Sequence, residues 1–329
     1  MNSELLSRLI RSIKQGSQPD LTRIAKLIIE DERRQGHTRV ADKLQSLLER
    51  PSKNPSGAAG AVSDPRLNHL PLSKRTGMPL ATVLQYEQLR HHMVLPQSVE
   101  ARFQRIEDEY ASRERLNMFG FEPRKKILLY GPPGCGKSLG AERLAWKLGL
   151  SIIKVRFDVI MSSYLGESAA NLREIFEYGK QAPRLLLLEE CDSIAKARDY
   201  GNDVGEMVRV VNSLLGLLEE YSAPGMLVAT TNLSKSLDPA LFRRFDDVLE
   251  IPLPGENEIE RLLQSTLSAI KVEENVNWVK LANSLLGSSA AQVVQVAQDA
   301  AKASILAGDT PIKRTRLESA VSTARHKQE

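Results

Sequence analysis

The sequence predicts an α/β fold: a parallel sheet covered by helices, preceded by a small helical bundle and followed by a small all-α domain. Two observations carry this. Between residues 81 and 254, short apolar runs ("KILLY", "IIKVRF", "LLLLEE", "MLVATTN" and "DVLEIPL") alternate with helical stretches. That is the pattern of parallel strands joined by crossover helices. From residue 255 onward the periodicity is helical alone, through "EIERLLQSTLSAI", "WVKLANSLL" and "AAQVVQVAQDAAKASIL",.

Taken in order, residues 1–50 place Leu5, Leu6, Leu9, Ile10 and Ile13, then Ile24, Leu27 and Ile28, then Val40, Ala41, Leu44, Leu47 and Leu48 at helical spacing. Breaks at Gly16–Asp20 and Gly36–His37 divide them into a bundle of three short helices. Such a bundle is marginal alone, because a chain that short buries too little surface. Residues 51–80 are rich in Pro, Gly and Ser without periodicity and read as a flexible linker,. A tethered bundle is expected to act as a recruiting module. Residues 81–254 open with two stretches read as helical, "LATVLQYEQLRHHMVL" and "SVEARFQRIEDEYASRERL". Residues 255–329 complete the chain as the helical domain.

Composition narrows the function classes. Hydrophobic residues make up 42% and charged residues 26% of the 329, the balance of a globular protein. No apolar run approaches the roughly 18 residues of a membrane span, and the N-terminus has no signal-peptide core. A cytoplasmic protein is expected, with Cys135 and Cys191 reduced. Neither thiol has C-x-x-C spacing, and adjacent His91 and His92 cannot share one helix face, so they are expected to be solvated rather than metal ligands. Residues 1–80 carry 14 Lys+Arg against 8 Asp+Glu, whereas the rest carries 31 against 33. The body is therefore slightly acidic, which argues against a nucleic-acid-binding surface.

"GPPGCGKS" fits G-x-x-x-x-G-K-[ST] and lies between the apolar strand "KILLY" and the helical "SLGAERLAWKLG". That context makes it a phosphate loop. Gly131, Pro132, Pro133, Gly134, Cys135, Gly136, Lys137 and Ser138 would cradle phosphate oxygens with backbone N–H groups at a helix N-terminus. Lys137 would reach the β- and γ-phosphates of ATP, and the Ser138 hydroxyl would ligate Mg²⁺. About fifty residues on, "RLLLLEECDSI" runs four leucines into Glu189 and Glu190. A buried strand ending in acids suits the partner role: Glu189 for the metal shell and Glu190 to polarise the attacking water. The alternative is a core strand surfacing into a charged loop. Cys135 and Cys191 would both lie near the nucleotide.

With these motifs in place, residues 81–329 resemble the AAA branch of the AAA+ ATPases. In "SSYLGESAANLREIFEYGK", Tyr164, Leu165 and Gly166 stand at the aromatic–hydrophobic–glycine position of that family's pore loop. Asn232 ends "LVATTN" where the family has its sensor asparagine. Arg243 and Arg244, in "LDPALFRRFDDVLEIPLP", lie where it carries arginine fingers, and "GSSAAQ" resembles its lid-domain segment near the nucleotide. More narrowly, "GNDVGEMVRVVNSLLGLLE" and "ALFRRFDDV" are similar to bacterial AAA ATPases encoded beside subtilisin-like serine proteases. Three departures stand out. Glu189 replaces the family's metal-binding aspartate, the two arginines are adjacent so that one is expected to be the finger, and Ala290 replaces the lid glycine.

The resemblance implies an ATP-hydrolysing homo-oligomeric ring, a hexamer, that threads and remodels protein substrates through a central pore. A subtilisin-like protease would be a partner, since no protease site of its own stands out. Glu189 and Ala290 favour an alternative, a slowly hydrolysing nucleotide switch or scaffold. A nucleic-acid loader is a third reading, permitted only by the charge of residues 1–80.

Overall fold

The computed structural model describes residues 25–26, 28–29, 33, 41, 45, 70–74, 76–161, 167–191, 204–232, 239–309 and 311–326. It divides into two compact units, Ala58–Pro252 and Met1–Gly57 with Leu253–Glu329. Among the described residues, no helix is long and apolar enough to cross a membrane.

The first unit is built on a six-stranded sheet: β1 (Ala81–Leu84), β2 (Lys126–Tyr130), β3 (Ile152–Val155), β4 (Leu185–Leu188), β5 (Met226–Thr231) and β6 (Asp247–Glu250), in the order β1-β3-β4-β5-β2-β6. β1 pairs antiparallel with β3, and the other neighbours are parallel. Its helices are α1 (Gln97–Ala111), α2 (Arg113–Met118), α3 (Lys137–Leu148), α4 (Phe157–Met161), α5 (Glu167–Lys180), α6 (Val204–Glu219) and α7 (Pro239–Phe242).

The strand sequences explain the layering. β4 is four leucines, all buried, and every residue of β5 is buried, as expected for strands covered on both faces. Period-2 alternation sends Leu128, Ile153, Leu186, Leu188, Leu227 and Ala229 into one core with Leu172, Phe176 and Leu214. Ile127, Leu129, Ile152, Leu185, Leu187 and Val228 enter the other, with Phe103 and Ile106 of α1 and Ala141 and Leu144 of α3,. Strand order reverses between β2 and its neighbours. In open sheets of this kind, ligands bind outside the carboxyl ends of the strands at such a point.

The second unit contains α8 (Glu256–Thr266), α9 (Trp278–Ser284), α10 (Ala290–Leu306) and α11 (Arg314–His326). Ile259, Leu263, Leu281, Val293, Ala297 and Leu317 are in its core. The "GSSAAQ" segment contains the start of α10. Ser289 Oγ accepts from the Gln292 N–H, and Gln292 Oε1 accepts from the Ser289 N–H, a reciprocal cap.

Three expectations are corrected. Residues 81–84 are not helical: Thr82 and Val83 suit a pleated edge, and antiparallel pairing with β3 outweighs the weak helical periodicity,. The chain then passes through one short 3₁₀ turn at Tyr86–Gln88, and α1 begins only at Gln97, after Pro96. The end of the compositional linker is folded, since Leu72 bridges Pro79 and Leu80 is fully buried. His91 is not solvated but stacks on Trp146 of α3, ring centroids 3.9 Å apart. In the N-terminal bundle, the described residues 25–26, 28–29, 33, 41 and 45 are helical. Most of the bundle, and residues 51–69 of the linker, lie outside the described residues.

Candidate functional site

The site is assembled at the carboxyl ends of β2, β4 and β5. "GPPGCGKS" leaves β2 and enters α3, and its conformation requires glycine. Gly131 has φ +143°, and a Cβ there would stand 2.2 Å from the Ile251 carbonyl oxygen that follows β6. Gly136 has φ +95° in the left-handed region and would meet Met93,. The Lys137 side chain is buried and donates to the carbonyls of Gly131 (2.9 Å) and Pro132 (2.7 Å). A buried ammonium held inside a left-handed glycine cradle at a helix N-terminus fits a polyphosphate.

α3 is fixed from behind by two clamps absent from the sequence reading. Glu142 is buried and accepts from the Arg90 backbone N–H (2.9 Å) and from its guanidinium. Arg143, also buried, is bound by Glu100 and pairs with Glu107. Burial pushes the Glu107 carboxyl above the usual carboxylate range, against the pull of Arg143,. Both clamps join α3 to the segment ahead of β2 and are legible only as unexplained charges in an apolar helix.

Glu189 and Glu190 follow β4 directly. Register pairs Leu188 with Ala229 of β5, so the acids emerge beside Thr230 and Thr231. Glu190 has φ +53°, the one non-glycine residue in the left-handed region among those described. That conformation costs on the order of 1–3 kcal/mol and persists where the surroundings over-determine it. Here Thr230 supplies the constraint: its Oγ1 accepts from the Glu190 N–H (3.3 Å) and its carbonyl from the Cys191 N–H (3.0 Å). Asn232, half-buried, comes immediately after β5, so the predicted sensor asparagine and the acidic pair end adjacent strands.

Glu189 carries an ion pair that the sequence did not suggest. Lys154, from β3, binds its carboxylate, and Arg90 adds a second nearby positive charge. The Ser138 hydroxyl at the start of α3 fits a magnesium shell, whereas the Glu189 carboxylate is already engaged by an ammonium. Among the described residues, no group of three His, Cys, Asp or Glu side chains forms a metal cluster.

The arginine pair is resolved into two environments. α7 is anchored by buried Leu241 and Phe245, which flank both arginines. Arg244 is half-buried and binds Glu219 at the end of α6 (3.3 Å), whereas Arg243 is exposed and makes no hydrogen bond or ion pair with a described residue. Asp246 fastens the segment to the start of β2, accepting from the backbone N–H groups of Lys125 (2.8 Å) and Lys126 (2.9 Å). Tyr164, Leu165 and Gly166 lie outside the described residues. Cys135 and Cys191 are both buried, in the two cores on opposite faces of the sheet.

Comparison with known proteins identifies the family. The family described as "ATPase family associated with various cellular activities (AAA)" matches residues 127–253, from β2 to just beyond β6. An uncharacterized AAA family ATPase of Sinorhizobium fredii, y4kL, is 32% identical over 303 residues, 92% of this chain and 89% of its own. With a phosphate-loop motif leaving β2, an acidic pair ending β4, and similarity along nearly the whole length, this chain belongs to the AAA family of ATPases.

Proposed function

We propose that this ATPase works as a ring of identical subunits, a hexamer, that remodels or unfolds protein by drawing it through a central pore. Lys137 binds the β- and γ-phosphates and Ser138 faces the metal. Bound with the nucleotide, Mg²⁺ neutralises phosphate charge. Glu190 takes up the proton of the attacking water, and Asn232 orients that water beside it. Tyr164, Leu165 and Gly166 form the loop that grips the polypeptide. A protease of the subtilisin-like class is the candidate recipient of the unfolded chain, and the N-terminal bundle recruits cargo or partner.

The observation that carries the ring is the division of labour between the arginines. Arg244 is held by Glu219 of its own subunit. Arg243 stands exposed in the turn that follows α7, between the buried Leu241 and Phe245. A guanidinium mounted between buried anchors, without a partner among the described residues, suits a finger that reaches a neighbour's γ-phosphate. The expected outcome is that Arg243→Ala keeps ATP affinity while turnover falls on the order of 10³-fold. Arg243→Ala mixed with Lys137→Ala should regain activity, because one contributes an intact phosphate loop and the other an intact finger. Absence of rescue at every mixing ratio overturns the ring.

The slow nucleotide switch is the second reading, favoured by the Lys154–Glu189 ion pair at the metal side of the site. Parental turnover no faster than that of Glu190→Gln would select it.

A further inference from the structure

We propose that Lys154 is a resident cation for Glu189 and competes with the divalent metal, so that magnesium joins the nucleotide in this ATPase only at raised concentration. The inference rests on the position for Mg²⁺ at Ser138 proposed above. It begins with register. Lys154 lies opposite Leu187 on the neighbouring parallel strand, two residues before Glu189 and on the same face of the sheet. β3 reads Ile152-Ile153-Lys154-Val155, and the three apolar residues are buried. The lysine is thus the one charge in an otherwise apolar strand, and packing of its neighbours fixes where its stem begins.

The ammonium binds the Glu189 carboxylate, with the lysine side chain 42% exposed and the glutamate side chain 19% exposed. The acid is the more enclosed partner, so it is less able to exchange the lysine for water. Neither side chain makes another hydrogen bond or ion pair with a described residue. The Arg90 guanidinium, whose proton affinity is raised first by its hydrogen bond to Glu142, also feels the Glu189 charge to a lesser degree. The negative charge Glu189 would offer a metal is therefore already matched. Glutamate in place of aspartate fits this reading, because the added methylene extends the carboxylate toward its partner.

Magnesium gives up its water reluctantly and binds through one or two carboxylates plus substrate phosphates. A site in which one of the two acids is neutralised by a lysine leaves Ser138, the phosphates and water to hold the ion. Entry of the metal then requires Glu189 to leave Lys154, or leaves Glu189 out of the shell. Either way a higher magnesium concentration is needed than at a site with a free carboxylate.

The test reads metal binding rather than turnover. A fluorescent ADP analogue is bound to the full-length protein in EDTA, MgCl₂ is added, and the midpoint of the resulting change is measured. Lys154→Met should lower that midpoint about threefold to fivefold, the scale of a partly exposed ion pair. Lys154→Arg should stay at the parental value. Glu189→Asp, which shortens the reach to Lys154, should also lower it and serves if Lys154→Met does not fold. The gain should vanish in Lys154→Met combined with Glu189→Gln. A folded Lys154→Met with a midpoint within twofold of the parent overturns the proposal, as does a gain that survives loss of the carboxylate. Failure of the parental protein to respond to magnesium at all would instead sink the metal position at Ser138.

Discussion

The phosphate loop and the acidic end of β4 are the two halves of the proposed site but are held in place by different means. The loop is shaped by its own backbone. Gly131 and Gly136 take conformations closed to other residues, and Lys137 closes the loop on carbonyls five and six residues back. The acidic end is shaped by side chains from elsewhere. Thr230 of β5 holds the Glu190 turn, and Lys154 of β3 holds Glu189. A locally determined element keeps its form when the rest of the sheet varies. One determined by neighbours can be retuned by a substitution on an adjacent strand.

Three substitutions test that contrast, beginning with the largest effect. Gly131→Ala places a methyl group 2.2 Å from the Ile251 oxygen in a backbone conformation unfavourable to alanine. It should destabilise the protein by about 3 kcal/mol or more, read from urea unfolding, and nucleotide binding should be lost with it. Normal stability would show that the loop yields more readily than its geometry implies. Glu190→Gln should leave ATP affinity within a few fold and reduce turnover on the order of 10²-fold or more, since the amide accepts no proton. If Glu189→Gln were the dead variant and Glu190→Gln active, the roles of the two acids would be reversed. Thr230→Val keeps the β-branched shape but removes the acceptor of the Glu190 N–H. It should cost about 1 kcal/mol and slow turnover severalfold, with Thr230→Ser close to the parent. An unaltered rate in Thr230→Val would mean that the Glu190 turn needs no help from β5.

The same contrast explains what could be read from the sequence. The phosphate loop and the apolar runs of β2, β4 and β5 were legible because each is encoded in contiguous residues: a glycine spacing, a leucine run, a period of two. β1 was not, because "ATVL" becomes a strand only through antiparallel pairing with β3. Lys154 was passed over for the same reason. In "IIKVRF" it is one polar residue in an edge-like pattern, and only the register of β3 against β4 brings it to Glu189. Glu142 and Arg143 carried a weak signal, adjacent opposite charges in the apolar helix after the loop, but their partners lie about 40 to 50 residues away. The arginine pair was visible as a pair, yet its asymmetry depends on Glu219 at the end of a different helix.

Strand β6 has a mechanical consequence. At one end Asp246 is tied by hydrogen bonds to the first residues of β2, just past the arginines. At the other end the Ile251 N–H donates to the Tyr130 carbonyl (2.8 Å), and the Ile251 carbonyl lies against Gly131. The span between them, roughly 16 Å at about 3.3 Å per residue, is a tie rod: hydrogen-bonded along β2, it transmits displacement with little stretch. A load applied to Arg243 along the strand is therefore delivered to the carbonyl that roofs the first glycine of the phosphate loop.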